Sequence, residues 1–312
     1  MNKNMTSHKK QKTMTMNRSH SHIAKALGLV LLGGMFLTSC TNDSSDKGSQ
    51  TNDIITIRTS VAPQKRTPQL DGEGKGNFTQ GDILSVFVGD GTRCLASTDY
   101  VFNTGVLTWS GLHLPEGTAH VTFASCYPKQ TVTDDGTFEF NTSTASYKDL
   151  LLSKAQPVDV GTKDDVNLTF VHALHRLDIS FTPGSGYTED DLKKLSLKCN
   201  ARTTCVVDAV KGEISKVKDD KGDYTSAGTS ASFFLVPQAT ADITLHINMN
   251  GEEQTMTLKQ LLEKLGTPQD NLEGGKKCTI TLSIGRDGIT VSGGSISGWE
   301  DQVTADGEVT IG

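Results

Sequence analysis

The chain has 312 residues, with 30 Lys and Arg against 36 Asp and Glu. Six of the basic residues and none of the acidic ones fall in the first 39, so residues 40–312 carry a formal charge of −12. So acidic a body excludes nucleic acid as a partner, because binding there works by displacing counterions with basic surface; its length is enough for two domains with buried cores.

Lys9, Lys10, Lys12, Arg18 and Lys25 lead into residues 26–37, which are apolar or small throughout. Basic then apolar is the order of a secretory signal, and this run is too short to span a bilayer. It ends in Leu37-Thr38-Ser39-Cys40, the pattern of a bacterial lipobox. Residues 1–39 are therefore expected to be removed and Cys40 to be acylated as the new N-terminus. Several acyl chains, at about 0.8 kcal/mol per buried methylene, hold such a protein stably on the outer membrane. Residues 40–53 are rich in Ser, Asn, Asp, Gly and Lys and read as a solvated, flexible tether.

Period-two runs follow. Ile55, Ile57 and Thr59 share one side of the first, while Ile83 to Val88 is more continuously apolar, as in a strand buried on both faces. Val121 and Phe123 flank Thr122, and Phe138 and Phe140 flank Glu139. Val166, Leu168 and Phe170 alternate with Asn167 and Thr169, and Leu177, Ile179 and Phe181 with Asp178 and Ser180. Ile243, Leu245, Ile247 and Met249 form another alternating set, and Cys278, Ile280, Leu282 and Ile284 the last. Each predicts a half-buried strand, and many strands at regular spacing predict an all-β chain of sandwiches. Helical signals are few. Thr188 followed by Glu189, Asp190 and Asp191 caps a short helix, and Leu258, Leu261, Leu262 and Leu265 form a stripe that stops at Gly266 and Pro268. The polar stretch Asp159 to Asp165 is the best boundary, giving an N-terminal sandwich over 54–162 and a C-terminal one over 163–312.

Candidate chemistry is sparse. His172 and His175 would point to opposite faces of a strand, with no acidic pair at ligand spacing, so no metal site is expected. Gly89, Asp90 and Gly91 read as a hairpin turn. Asp219, Asp220 and Asp223 have the composition of a calcium loop without its oxygen spacing or closing Glu. No nucleophile elbow or Cys-His arrangement stands out, so no enzyme and no cofactor are expected. Without Cys40 the cysteines number five (Cys94, Cys126, Cys199, Cys205 and Cys278), with no CxxC. They read mostly as buried free thiols, with Cys199 and Cys205 the pair placed to bridge a hairpin.

Two longer stretches carry a resemblance. One runs from Phe78-Thr79-Gln80-Gly81-Asp82-Ile83 through Trp109 to Ala124-Ser125-Cys126-Tyr127-Pro128. The other is Asp149-Leu150-Leu151, then Val166-Asn167-Leu168-Thr169-Phe170-Val171-His172-Ala173-Leu174-His175-Arg176-Leu177. With Val236-Pro237-Gln238, Gly274-Gly275-Lys276, the stretch from Ile289 to Trp299 and the lipobox, the chain resembles the fimbrillins, lipoprotein pilins and pilus accessory proteins of anaerobic bacteria. It departs from the family pattern where Cys126 and Cys278 stand in place of aromatics.

The resemblance implies two tandem transthyretin-like antiparallel β-sandwiches joined by a few short helices. It implies a surface fimbrium as destination and other pilus subunits as partners, with a host or bacterial surface ligand for adhesion. It also implies donor-strand exchange: a trypsin-like protease cuts after an Arg, the first strand leaves, and a C-terminal strand of the next subunit takes its place. On this sequence the leaving strand would carry Ile55 and Ile57, and the cut would fall between Arg66 and Thr67, since Arg58 lies inside the strand pattern. The donor would present Ile289, Val291, Ile296, Val303, Val309 and Ile311, residues that read equally as ordinary edge strands of the C-terminal sandwich. A second function stays open: a surface glycan-binding lipoprotein of a nutrient-uptake system, whose stacking platforms would have to be Trp109 and Trp299.

Overall fold

Alternating runs become strands when their apolar side has something to cover, and the C-terminal half gives the clearest case. The computed structural model describes residues 53–61, 78–146 and 149–286, and the backbone of 288–298 and 306–310. Cys40, Arg66, Thr67, Trp299, Val303 and Ile311 lie outside the described residues. One C-terminal sheet runs in the order Ser230–Leu235, His175–Pro183, Lys276–Gly285, Gly288–Gly298, Asp306–Thr310. The other runs Lys221–Ala227, Ser196–Arg202, Thr244–Met249, Glu252–Thr257. Between them lie Leu177, Ile179 and Phe181, Leu197 and Cys199, Leu245, Ile247 and Met249, and Cys278, Ile280, Leu282 and Ile284. All but Leu197 and Cys199 are residues the alternation selects.

Both expected helices form, each closed by its own chemistry. Thr188 and Asp191 make a reciprocal capping box on Glu189–Leu192, and Thr257 and Gln260 do so on Leu258–Lys264. The second helix ends with Gly266 at φ +70°, where Gly266 N donates to Glu263 O at 3.1 Å and Thr267 N to Leu262 O at 3.1 Å. That pair of bonds satisfies carbonyls the last turn would otherwise leave unpaired.

The N-terminal half is built on a large sheet in the order Ile57–Val61, Val166–His172, Leu151–Ser153, His120–Tyr127, Ile83–Gly89, Cys94–Val101, with Gln156–Asp159 also on His120–Tyr127. Both faces are covered, as the continuous Ile83 to Val88 run predicts. Leu84, Val86 and Val88 meet Val121, Phe123, Leu168 and Phe170 on one face. Phe87, Cys126 and Leu152 face Phe138, Phe140, Cys205, Val207 and Phe234 on the other. Asp90 accepts from Thr92 N and Arg93 N at 2.9 and 2.8 Å, which shapes the turn expected there.

The second of these cores draws on both halves of the chain. Thr204–Asp208 pairs with Thr137–Asn141 on one side and Glu213–Val217 on the other, forming a three-stranded bridging sheet. At its turn Gly212 has φ +67°, and a Cβ there would lie 1.9 Å from Ser153 O. Only glycine allows the bridging sheet to approach the large sheet so closely.

Two expectations are adjusted. Sheet membership does not change at 162/163: Val166–His172 pairs within the N-terminal sheet, and the crossing lies between His172 and His175. The sandwiches are not wholly antiparallel either. Val166–Phe170 runs parallel to Ile57–Val61, and His175–Pro183 parallel to Lys276–Gly285. In both cases the partners are far apart in sequence, and local alternation carries no information on strand direction. Among the described residues the five cysteines are free thiols, all buried but the half-buried Cys94. Burial pushes Cys199, Cys205 and Cys278 up to about 12.

Candidate functional site: the N-terminal edge segment

The segment 53–61 is a short piece of chain held by two different sheets. Asp53, expected to close the tether, instead begins the attachment. Its carboxylate accepts from Ser110 N at 2.8 Å and from the Ser110 hydroxyl, and its carbonyl accepts from Trp109 N at 2.8 Å. The bonds from Ser110 hold the Asp53 carboxyl below its ordinary range. Ile54 and Ile55 then pair antiparallel with Thr108 and Leu107.

At Thr56 the chain changes sheets: its carbonyl accepts from Val166 N at 2.8 Å. Ile57–Val61 then pairs in parallel from Ile57↔Val166 to Val61↔Phe170. The alternation fixes what each residue does. Ile55, 4% exposed, is seated in the core with Leu107 and Trp109, and Ile57 and Val61 pack half-buried against the same core. Arg58 and Ser60 point the other way. Arg58 pairs with Asp165, and Ser60 Oγ donates to Thr169 Oγ1 at 3.2 Å.

Among the described residues Ile57–Val61 is the edge of its sheet, with a partner on one side only. Its loss would leave the N–H and C=O groups of Val166–Phe170 unpaired along one side and open the seat of Ile55. An exposed ladder of that kind is satisfied by another extended strand, with side chains at alternate positions filling the seats. Ile55 and Ile57, the two residues singled out for the leaving strand, are thus brought together on one core. Asp53, Ser110 and Asp165 were missed. Their partnerships span 57 and 107 residues, and nothing local in the sequence marks them.

The candidate donor residues occupy the opposite end of the chain. Ile289, Val291 and Ile296 stand in Gly288–Gly298, which pairs with Lys276–Gly285; Val309 stands in Asp306–Thr310, which pairs with Gly288–Gly298 at Val291↔Val309. Here these strands serve as the edge of the C-terminal sandwich, and exchange would require them to leave it.

The remaining candidates are placed singly. His172 and His175 are both buried but engage different partners: His172 Nδ1 meets Asp149, and His175 Nδ1 donates to Glu273 O at 2.9 Å. Burial lowers His175 to about 4 and raises Asp149. Asp219 pairs with Arg202, Asp220 accepts from Thr203 and Thr204, and Asp223 accepts from Asn200, so the three carboxylates turn to separate partners. Trp109 is 8% exposed and stands edge-on to Phe123, ring centroids 5.8 Å apart, which leaves no open face for a sugar.

A family profile for fimbrillin-like proteins matches residues 71–299. No curated protein matches the sequence. Among solved structures, a candidate cell-adhesion protein of Bacteroides uniformis superposes with a TM-score of 0.58 at 17% identity, over 79% of this chain and 99% of that one. One from Bacteroides ovatus gives 0.53 at 17% identity, over 80% and 99%. At such identity the likeness concerns the fold.

Proposed function

This chain belongs to the fimbrillin-like family, and from that premise we propose that it is a structural or accessory subunit of a surface fimbrium that contributes to adhesion. It is exported as a lipoprotein acylated on Cys40 and reaches the outer membrane with segment 53–61 in place. A trypsin-like protease cuts between Arg66 and Thr67, the segment leaves, and a strand carrying Ile289, Val291, Ile296, Val309 and Ile311 from a neighbouring subunit takes its position. The observation that carries this reading is the edge segment itself: one ladder on each sheet, a partner on one side only among the described residues, and Ile55 as its single deeply seated side chain. Removing such a segment opens a groove without dismantling the core of either sandwich.

Intact mass and N-terminal sequencing of the protein taken from native outer membrane test it. A start at Thr67 without lipid is the expected result for an assembled subunit, and Arg66→Ala should then block both maturation and incorporation. An acylated Cys40 start on every molecule would overturn the exchange step and leave a permanently anchored surface lipoprotein.

A further inference from the structure

The direction of the Ile57–Val61 ladder has a mechanical meaning. Five register pairs, Ile57↔Val166 to Val61↔Phe170, run in parallel. A pull on the chain ahead of Asp53 acts along this strand and slides all five pairs at once against their partner. Displacement from the Val61 end lifts the same pairs one after another. Bonds broken together share the load; bonds broken in turn each meet it alone.

Among the described residues the two ends of the segment are unequally braced. At the N-terminal end stand the Asp53 bonds to Ser110 and Trp109, the seated Ile55 and the Arg58–Asp165 pair. At the other end Ser60 donates one bond to Thr169, and Val61 offers a half-buried side chain.

The strand that receives the load is itself well held. Val166–His172 pairs on its other side with Leu151–Ser153. It continues through Ala173, whose N donates to Leu150 O at 2.8 Å, and Leu174, whose O accepts from Gly275 N at 2.9 Å, into His175–Pro183. There a further parallel register, Arg176↔Lys277 to Pro183↔Ile284, ties it into the C-terminal sandwich. One uninterrupted stretch of chain therefore runs from the grip of the first strand into the core of the second half.

We propose that segment 53–61 is a directional clamp. It resists tension entering from an N-terminal tether, in shear, and yields to lateral displacement that begins at Val61. A subunit held by its N-terminus can then bear adhesive load and still give up the same segment to a strand that invades from the other end. The inference concerns the tethered form and so rests on the reading of Cys40 as an anchor.

Single-molecule force spectroscopy on the full chain tests it, with one handle at the N-terminus and one at Lys264 in the C-terminal sandwich. The Thr56 carbonyl faces Val166, so by alternation the Ser60 N–H faces the same strand, and Ser60→Pro removes a ladder bond. The first rupture force should fall about twofold in Ser60→Pro, given one lost bond and a distorted ladder. Gly228 N donates to Leu195 O, so by alternation the Ser226 N–H also faces its partner strand; Ser226→Pro, in the outer strand Lys221–Ala227, removes a bond of the same kind and should leave that force unchanged even where its thermal shift matches. The double variant Arg58→Ala, Ser60→Ala keeps the backbone ladder, and should fold with a smaller drop. An unchanged force in both segment variants, or an equal fall in Ser226→Pro, would overturn the clamp. A missing lipid on Cys40 would show in the mass and leave the force curves as they are, so the two readings fail separately.

Discussion

In the C-terminal sandwich every core residue among the described ones comes from the stretch between Leu177 and Ile284, to which the two capped helices contribute Leu192, Leu258, Leu261 and Leu262. In the N-terminal half the core around Phe123 and Phe170 is completed by Ile55, on a segment whose strand pairs with residues more than a hundred positions away. The first arrangement is closed by strands gripped on both sides, His175–Pro183 and Lys276–Gly285, whose mutual partners are just as distant in sequence. The second is closed by a piece that packs well but is gripped along an edge. A sheet can bury a full core and still have one strand that is separable, provided the burial is concentrated in other strands, and here Val166, Leu168 and Phe170 carry it while Ile57 and Val61 stay half-buried.

The contrast is tested most strongly by emptying each core. Phe170→Ala should cost about 3–5 kcal/mol and Ile280→Ala about 2–5 kcal/mol, read from urea denaturation. If the halves differ as argued, hydrogen exchange in Phe170→Ala will rise first at Ile57–Val61, whereas Ile280→Ala will loosen both C-terminal sheets together. Ile55→Ala should cost about 2–5 kcal/mol and leave exchange in Thr244–Met249 at its wild-type rate; equal loosening there would break the comparison.

These residues also show what could be read in advance. Val166, Leu168 and Phe170, like Cys278, Ile280, Leu282 and Ile284, announce their buried side by period two, because alternation and burial are both local properties of a strand. Thr188, Thr257 and Gly266 announce their helix ends for the same reason. The parallel pairing of Ile57 with Val166 and the pairing of Cys205 with Phe140 are set by which edges meet in three dimensions, and no local pattern encodes that. Likewise Ile55 and Ile57 were legible as a strand, but the latch made by Asp53 and Ser110 was not.

A pH series sharpens the comparison at the crossing between the halves. His175 titrates near 4 when folded against 6.5 ordinarily, so the unfolded chain takes its proton first. Stability from this group is therefore full above about pH 7, falls as the pH drops from 6.5 through 4, and is flat below. The loss amounts to about 3 kcal/mol. Urea midpoints across this range should show the step in the wild type and lose it in His175→Gln. The smallest effect is expected at Arg58→Ala. Its ion pair with Asp165 is largely exposed, so the cost should be about 0.2–1 kcal/mol and vanish in high salt. A larger loss that high salt abolishes would mean that the edge segment is held more by charge than by Ile55.

The bridging sheet takes Thr137–Asn141 from before the expected boundary and Thr204–Asp208 and Glu213–Val217 from after it, with Gly212 pressed against Ser153. This binds the ancestry of the two halves as well as their shapes. A recombinant that joined residues 1–162 of one such chain to the remainder of another would inherit two half-matched surfaces along a shared core, together with a first strand whose partner came from a different parent. Diversification of this fold should therefore proceed by substitution on its outer loops and edges more readily than by shuffling its halves.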